Sequence, residues 1–402
     1  MIRRLSPIIL LITVVTIGNG VVYAAGLCVH PAGAGRCFTS IQAAVDAAND
    51  GDRITIRPGR YMEQVTINGK GLTLIGQGEA VVQAPSAMED TLSPIAGVEG
   101  RPIILVTGAE VTIRDLTIDG ANSAEANPFL QGIVFINADG LIRRNLVKDV
   151  GFGAPRLPVN GNGEPLYQGE GMLVVNLEAS PRTVTIAENR VVNYNNSGIT
   201  VFAQADFNDP SAANLTVHVV NNTVTGWGPN DVIDQWGIFF GGFGFTDPQA
   251  SITGTLRGNR IRDVVTISPY PLPGVGIATS TTYNVEMADN VIENANVGLA
   301  ANQAFSVRIL DNQFVGPPPE VIGSTGLLLS GSDSQVVENR FKKLEIGILL
   351  HVEDPFFGSA LNTVLDENRF DNVAADVLTS PGALFSLSAT ARSAPTHTRL
   401  PR

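Results

Sequence analysis

The chain has 402 residues, of which 44% are hydrophobic and 16% charged, with 42 Gly and 24 Pro. This apolar content excludes a disordered chain, and the Gly and Pro load excludes a long coiled coil. With 26 basic against 38 acidic residues the formal charge is −12, which speaks against a nucleic-acid partner, because phosphate neutralisation needs clustered Lys and Arg.

Residues 1–24 read as a secretory signal. Arg3 and Arg4 precede an apolar run from residue 8 to 17, and Val22-Tyr23-Ala24 supplies the −3 and −1 positions of a cleavage site. Gly18-Asn19-Gly20 cuts the run below bilayer length, so no transmembrane segment is expected after cleavage. The expected location is secreted or periplasmic. Cys28 and Cys37, the only cysteines, are expected to form a disulfide staple in such an oxidising compartment.

Ile41, Ala44, Val45 and Ala48 fall on one helical face, which predicts an amphipathic helix over 40–49. Such a helix would cover backbone edges that a first open coil leaves unpaired. Strands are predicted over 53–57, 64–67, 72–75 and 81–83, with Pro58-Gly59 as a turn. From residue 132 onward the chain repeats itself. A Gly followed by an aliphatic residue opens an apolar run at Gly132, Gly171, Gly198, Gly237, Gly276, Gly298, Gly326 and Gly347. An Asn in the pattern apolar-x-x-Asn-x-apolar interleaves at Asn145, Asn189, Asn222, Asn259, Asn290, Asn312, Asn339 and Asn368.

The spacings shrink to 21 and 22 residues in the shortest repeats. That floor fits a coil of short β-branched strands, with loops of variable length inserted between them. An inward Asn at one corner of every coil can stack on its copies, its amide donating and accepting along the ladder. The predicted architecture is all-β, a single-stranded right-handed parallel β-helix over 25–380. About ten coils at the strand spacing would make a rod about 50 Å long. Residues 381–402, rich in Ser, Thr, Ala and Pro, read as a flexible tail.

The residues Thr39-Ser40-Ile41-Gln42-Ala43-Ala44-Val45-Asp46-Ala47-Ala48, Gly51-Asp52-Arg53-Ile54-Thr55-Ile56 and Pro58-Gly59-Arg60-Tyr61 resemble the entry module of the pectin-lyase-like superfamily. The Gly-aliphatic and Asn repeats resemble the coils of its secreted and periplasmic bacterial members, and the match spans residues 37 to about 378. The resemblance implies the β-helix fold and a polysaccharide or cell-surface glycan as partner. It carries over no known mechanism. The Asp-Asp pair and Gly-His-Gly of polygalacturonases, the Gly-Tyr-Gln-Asp-Thr-Leu of pectin methylesterases and the Asp-Pro-His of alginate epimerases are missing.

Aligning the coils on their glycines puts Val134, Leu173, Val175, Thr200, Phe202, Phe239, Ala278 and Ala300 on the outer side of the strands that follow. This face is mostly apolar, so chemistry is expected in the long insertions that wall it. Those segments hold Glu164, Glu170, Asp206, Asp209, Asp231, Asp234 and Asp247 beside Tyr167, Phe207, Trp227, Trp236, Phe243 and Phe245. Carboxylates move protons or ligate a cation, and aromatic rings stack on pyranose faces. The catalytic candidates are Asp231 and Asp234, with Asp206 across the groove. Trp227, Trp236, Tyr167, Phe207, Phe243 and Arg156 are the substrate-binding candidates, and Asp206 with Asp209 the candidate pair for a calcium ion.

Three readings follow. The first is an exported lyase or hydrolase acting on polysaccharide in a groove over 199–202 and 238–240. The second is a non-catalytic carbohydrate-binding or structural β-helix protein at the cell surface. The third resembles periplasmic β-helix proteins that assist maturation of a copper enzyme. In each the chain is expected to act as a monomer.

Overall fold

Period-two runs such as Val111-Thr112-Ile113, Thr183-Val184-Thr185-Ile186 and Leu215-Thr216-Val217-His218-Val219 put Val, Ile and Leu on one side of an extended chain. Each run forms a strand with that side buried. The computed structural model describes residues 26–95, 98–153, 169–203, 214–230, 235–242, 251–267, 273–319, 321, 323–351, 362–379 and 385–392. The expected signal at 1–24 lies outside the described residues. Among those described, no helix is long and apolar enough to cross a membrane.

Strands pair in parallel with their equivalents one coil before and one coil after, building three long sheets. The first contains Leu130–Ile136, Glu170–Asn176, Ser197–Ala203 and Trp236–Gly242. Asp139–Arg143, Arg182–Ala187, Asn214–Val220 and Ser251–Arg257 belong to the second. The third holds Leu146–Val150, Arg190–Tyr194, Thr223–Thr225 and Arg260–Val264. Parallel neighbours need a long return path, and here each return is the other two strands of the same coil.

The glycines that open the first-sheet strands are required by close approach. A Cβ at Gly276 would lie 2.5 Å from Ile292 Cγ2 of the third sheet and 2.6 Å from the carbonyl oxygen of Gly298. The repeating Gly-aliphatic signal therefore records where the coil is narrowest. Gly276→Ala is expected to cost about 1–3 kcal/mol through overpacking, read as a lowered guanidinium midpoint. Towards the C-terminus the inner row of the third sheet changes from Val and Ile to Phe. Phe314, Phe341 and Phe370 stack with centroids 5.0 Å apart and planes inclined by 13° and 11°, matching the strand spacing.

The Asn corner lies between the second and third sheets. Asn222 shows its pattern: Oδ1 accepts from Asn189 N (2.9 Å) and Asn189 Nδ2 (3.0 Å), while Nδ2 donates to Asn259 Oδ1 (3.0 Å) and Ile186 O (2.8 Å). The same bonds run from Asn145 to Asn368. The residue before each ladder Asn is left-handed, with φ from 48° at Glu367 to 66° at Gly258. That turn points the preceding side chain outward and the Asn inward. Acids occupy this position at Glu188, Asp289, Asp311, Glu338 and Glu367, and Asp115 holds the equivalent left-handed position one coil before Arg144. At Asp115, hydrogen bonds from Arg144 (2.7 and 2.9 Å) hold the carboxyl below its usual range, with Arg114 adding to the effect. Further along, Asp311, Glu338 and Glu367 follow one another at this position, and the charge of Asp311, burial and then Glu367 push the Glu338 carboxyl up.

Near the N-terminus, Ile41–Ala47 is helical and buries Ile41, Ala44 and Val45. Ser40 caps it by accepting from Ala43 N at 3.2 Å, and the Glu63 carboxylate accepts from Ile41 N and Gln42 N at 2.8 and 2.9 Å. Cys28 and Cys37 are disulfide-bonded as expected. The C-terminal segment differs from the expected loose tail. Phe385–Arg392 forms a strand paired in parallel along 363–370. Its Ser and Thr content hides a period-two pattern in which Phe385, Leu387, Ala389 and Ala391 alternate with Ser386, Ser388 and Thr390.

Candidate functional site

The outer side of the first sheet carries its own apolar cluster, separate from the interior: Leu105, Val134, Leu173, Val175, Phe202, Phe239, Val275, Ala278, Val297 and Ala300. The expected parity is met at every one of these positions that the sequence had placed outward. In this cluster's midst sits a carboxyl group. Gly171 and Met172 both turn to the interior, where a Cβ on Gly171 would meet Val191 Cγ1 and Met172 is fully buried. That double inward step leaves Glu170 facing out beside Leu173.

Glu170 is held from both neighbouring coils. Gln131, its register partner in the coil before, donates from Nε2 to Glu170 Oε2 at 2.9 Å. Thr200 donates from Oγ1 to Glu170 Oε1 at 3.4 Å from the coil after. Gly100 leaves room for the Gln131 amide, since a Cβ there would lie 2.5 Å from Gln131 Oε1. Burial raises the Glu170 pKa above the ordinary carboxylate range, and the bonds from Gln131 and Thr200 only partly oppose it. A carboxyl whose pKa is raised in this way is a candidate general acid.

In register beyond Glu170 come Ser197 and then Trp236. The Ser197 hydroxyl is fully buried and has no hydrogen-bond partner among the described residues. Trp236 is half-buried and stacks on Phe239, with centroids 5.0 Å apart and planes inclined by 23°. The rows thus place Gln131, Glu170, Ser197 and Trp236 in one column, with Thr200 and Phe239 alongside.

Of the candidates predicted from sequence, Asp206, Asp209, Asp231, Asp234, Tyr167, Phe207, Phe243 and Arg156 lie outside the described residues. The two tryptophans occupy different places. Trp236 is on the outer face, whereas Trp227 is tied to the corner before it: Trp227 Nε1 donates to Tyr194 O at 2.8 Å, and Trp227 N to Gln235 Oε1 at 2.9 Å. Gln235 is fully buried and donates to Tyr194 O at 2.8 Å, bracing the same corner. His218 lies on the second sheet, its Nδ1 3.0 Å from Thr255 Oγ1. No group of three or more His, Cys, Asp or Glu side chains among the described residues gathers as metal ligands.

Gln131, Ser197 and Thr200 were missed as site residues, and Glu170 was counted only among the loop acids. A signal for the column existed: each of Gln131, Glu170, Ser197 and Trp236 immediately precedes a repeat glycine.

By sequence, the chain matches no protein-family model and no curated protein. Solved structures do resemble it. The A-module of a mannuronan C-5 epimerase from Azotobacter vinelandii superposes with a TM-score of 0.51 at 14% identity, covering 87% of this chain and 95% of that one. A mannuronic acid specific polysaccharide family 6 lyase from human gut microbiota gives 0.51 at 11% identity, covering 91% and 78%. With its three parallel sheets, Gly and Asn repeats and these neighbours, the chain has the right-handed parallel β-helix fold.

Proposed function

We propose that this is an exported polysaccharide-active protein working on the outer face of the first sheet, with Glu170 as its proton donor. The observation that carries the reading is a carboxyl of raised pKa, clamped between Gln131 and Thr200 on an otherwise apolar face beside the Trp236–Phe239 stack. Glycoside cleavage needs a protonated acid on the leaving oxygen and a ring-stacking platform, and hydrolysis adds a second carboxylate. Asp231, Asp234 and Asp206 are the residues proposed for that second role, and Asp206 with Asp209 the pair proposed to hold calcium.

The Cys28–Cys37 disulfide supports an oxidising, extracellular or periplasmic location. In this reading the helix Ile41–Ala47 covers the first coil, and about ten coils form the rod. A second reading, non-catalytic glycan binding, is favoured by the apolar strand face itself.

Incubating the protein with neutral and uronic-acid polysaccharides, with and without calcium, separates the readings. A rise in absorbance at 235 nm marks elimination, while new reducing ends alone mark hydrolysis. Retention of a glycan on immobilised protein without either product marks binding only.

A further inference from the structure

We infer that the face around Glu170 selects neutral sugar rings and rejects uronates, a deepening that rests on the polysaccharide reading above. A buried carboxylate on a ligand needs a cation or several hydrogen-bond donors. The described rows about Glu170 hold no cation, and their donors Gln131 and Thr200 are already used on Glu170. Along one row run Pro102, Gln131, Glu170, Ser197, Trp236, Val275 and Val297, and along the next Leu105, Val134, Leu173, Thr200, Phe239, Ala278 and Ala300. Neither row holds a Lys, Arg or His.

The intervening segments reinforce this by composition alone. Residues 154–168, 204–213, 231–234 and 243–250 contain one basic residue, Arg156, against Glu164, Asp206, Asp209, Asp231, Asp234 and Asp247. Wherever these side chains lie, their summed charge repels a polyanion.

What the face does offer suits hydroxyl groups. Ser197 Oγ is a buried donor and acceptor without a partner among the described residues, placed in register between Glu170 and Trp236. Those two residues are two rungs apart, about 10 Å at the strand spacing. A sugar chain lying along these rungs would meet the indole of Trp236 towards one end and the Glu170 carboxyl towards the other. An ionised Glu170 would face a uronate as like against like, which adds to the lack of a cation in these rows.

The matched probe is alginate oligosaccharide against the same material with its carboxyl groups reduced to alcohols. Mannan, galactan, xylan and glucan oligosaccharides extend the neutral set, and polygalacturonate extends the acidic set. Calorimetry at low salt, once with calcium and once with EDTA, measures affinity, and reducing-end release measures turnover. The expected result is binding confined to neutral ligands, with at least about tenfold preference over any uronate, and no rescue of uronate binding by calcium. Tighter binding of alginate or polygalacturonate, with or without calcium, would overturn the charge selection while leaving the polysaccharide reading intact. No binding to any member of either set would overturn the polysaccharide reading and this inference with it.

Discussion

Glu170→Gln is expected to lower turnover by about two to four orders of magnitude, the range for loss of a general acid, while making the fold more stable at neutral pH. The two effects have one cause. Glutamine is nearly isosteric with the native side chain and keeps an acceptor for Gln131 Nε2, but it has no proton to give. The stability effect has a definite sign. Burial holds the Glu170 pKa above its unfolded value, so the folded chain binds that proton to higher pH than the unfolded chain does. The favourable contribution is fully present below the ordinary carboxylate range and is lost as pH rises through the raised value.

The variant escapes that loss. Its melting temperature should match the native protein's below the ordinary carboxylate range and exceed it as pH rises above that range, as followed by circular dichroism. If the melting curves diverge in this way and turnover is unchanged, Glu170 is a half-buried structural carboxyl and the proton-donor assignment fails. Trp236→Ala supplies the complementary test on the same column. It should weaken glycan affinity about tenfold or more through the lost stacking platform, while leaving the pH dependence of melting in place.

The largest loss of stability is expected at the Asn corner. Asn222→Ala removes an acceptor used by both Asn189 N and Asn189 Nδ2, and a donor used by Ile186 O and Asn259 Oδ1. The corner is dry: Asn189, Asn222 and Asn259 are each at most 2% exposed. Asn189 Nδ2 keeps Ile142 O and Asn259 Oδ1 keeps the backbone N of residue 222, so the penalty falls mainly on Asn189 N and Ile186 O, at about 1–3 kcal/mol each. The sum, about 4 kcal/mol, is a large share of the stability of an ordinary domain. Guanidinium unfolding should show a correspondingly lowered midpoint, and hydrogen exchange should show protection lost first in the strands flanking residue 222. A shift below about 1 kcal/mol would mean that water replaces the missing amide and that the ladder is not what holds the corner.

Asn222→Asp is expected to be no better than alanine. It keeps the acceptor for Asn189 but replaces the donating Nδ2 by an oxygen facing Ile186 O and Asn259 Oδ1, and it buries a charge. The pair of variants therefore distinguishes an amide ladder from a mere polar filling of the corner.

The amino-acid sequence by itself determined the repeat. Each coil must narrow where its third strand presses on its first, so Gly276 and its equivalents recur. Each must also turn through a left-handed residue followed by an inward amide, so the Asn series recurs. Strand parity, and with it the apolar outer face from Val134 to Ala300, follows from period two once the glycines are aligned. The disulfide between Cys28 and Cys37 was legible for the simpler reason that no other cysteine exists.

Which side chains on that face meet depends on how the coils stack. Gln131, Glu170 and Thr200 are separated by 39 and 30 residues, and only the winding of the chain brings them within hydrogen-bond reach. The rise in the Glu170 pKa is likewise a property of the packed face, since burial is its largest cause. The division between Trp227 at a corner and Trp236 on the outer face also lies beyond pattern reading, because both flank the same insertion and differ only in what their surroundings bond to. A linear repeat specifies what each rung presents, whereas desolvation and contact between rungs arise only when the rungs are stacked.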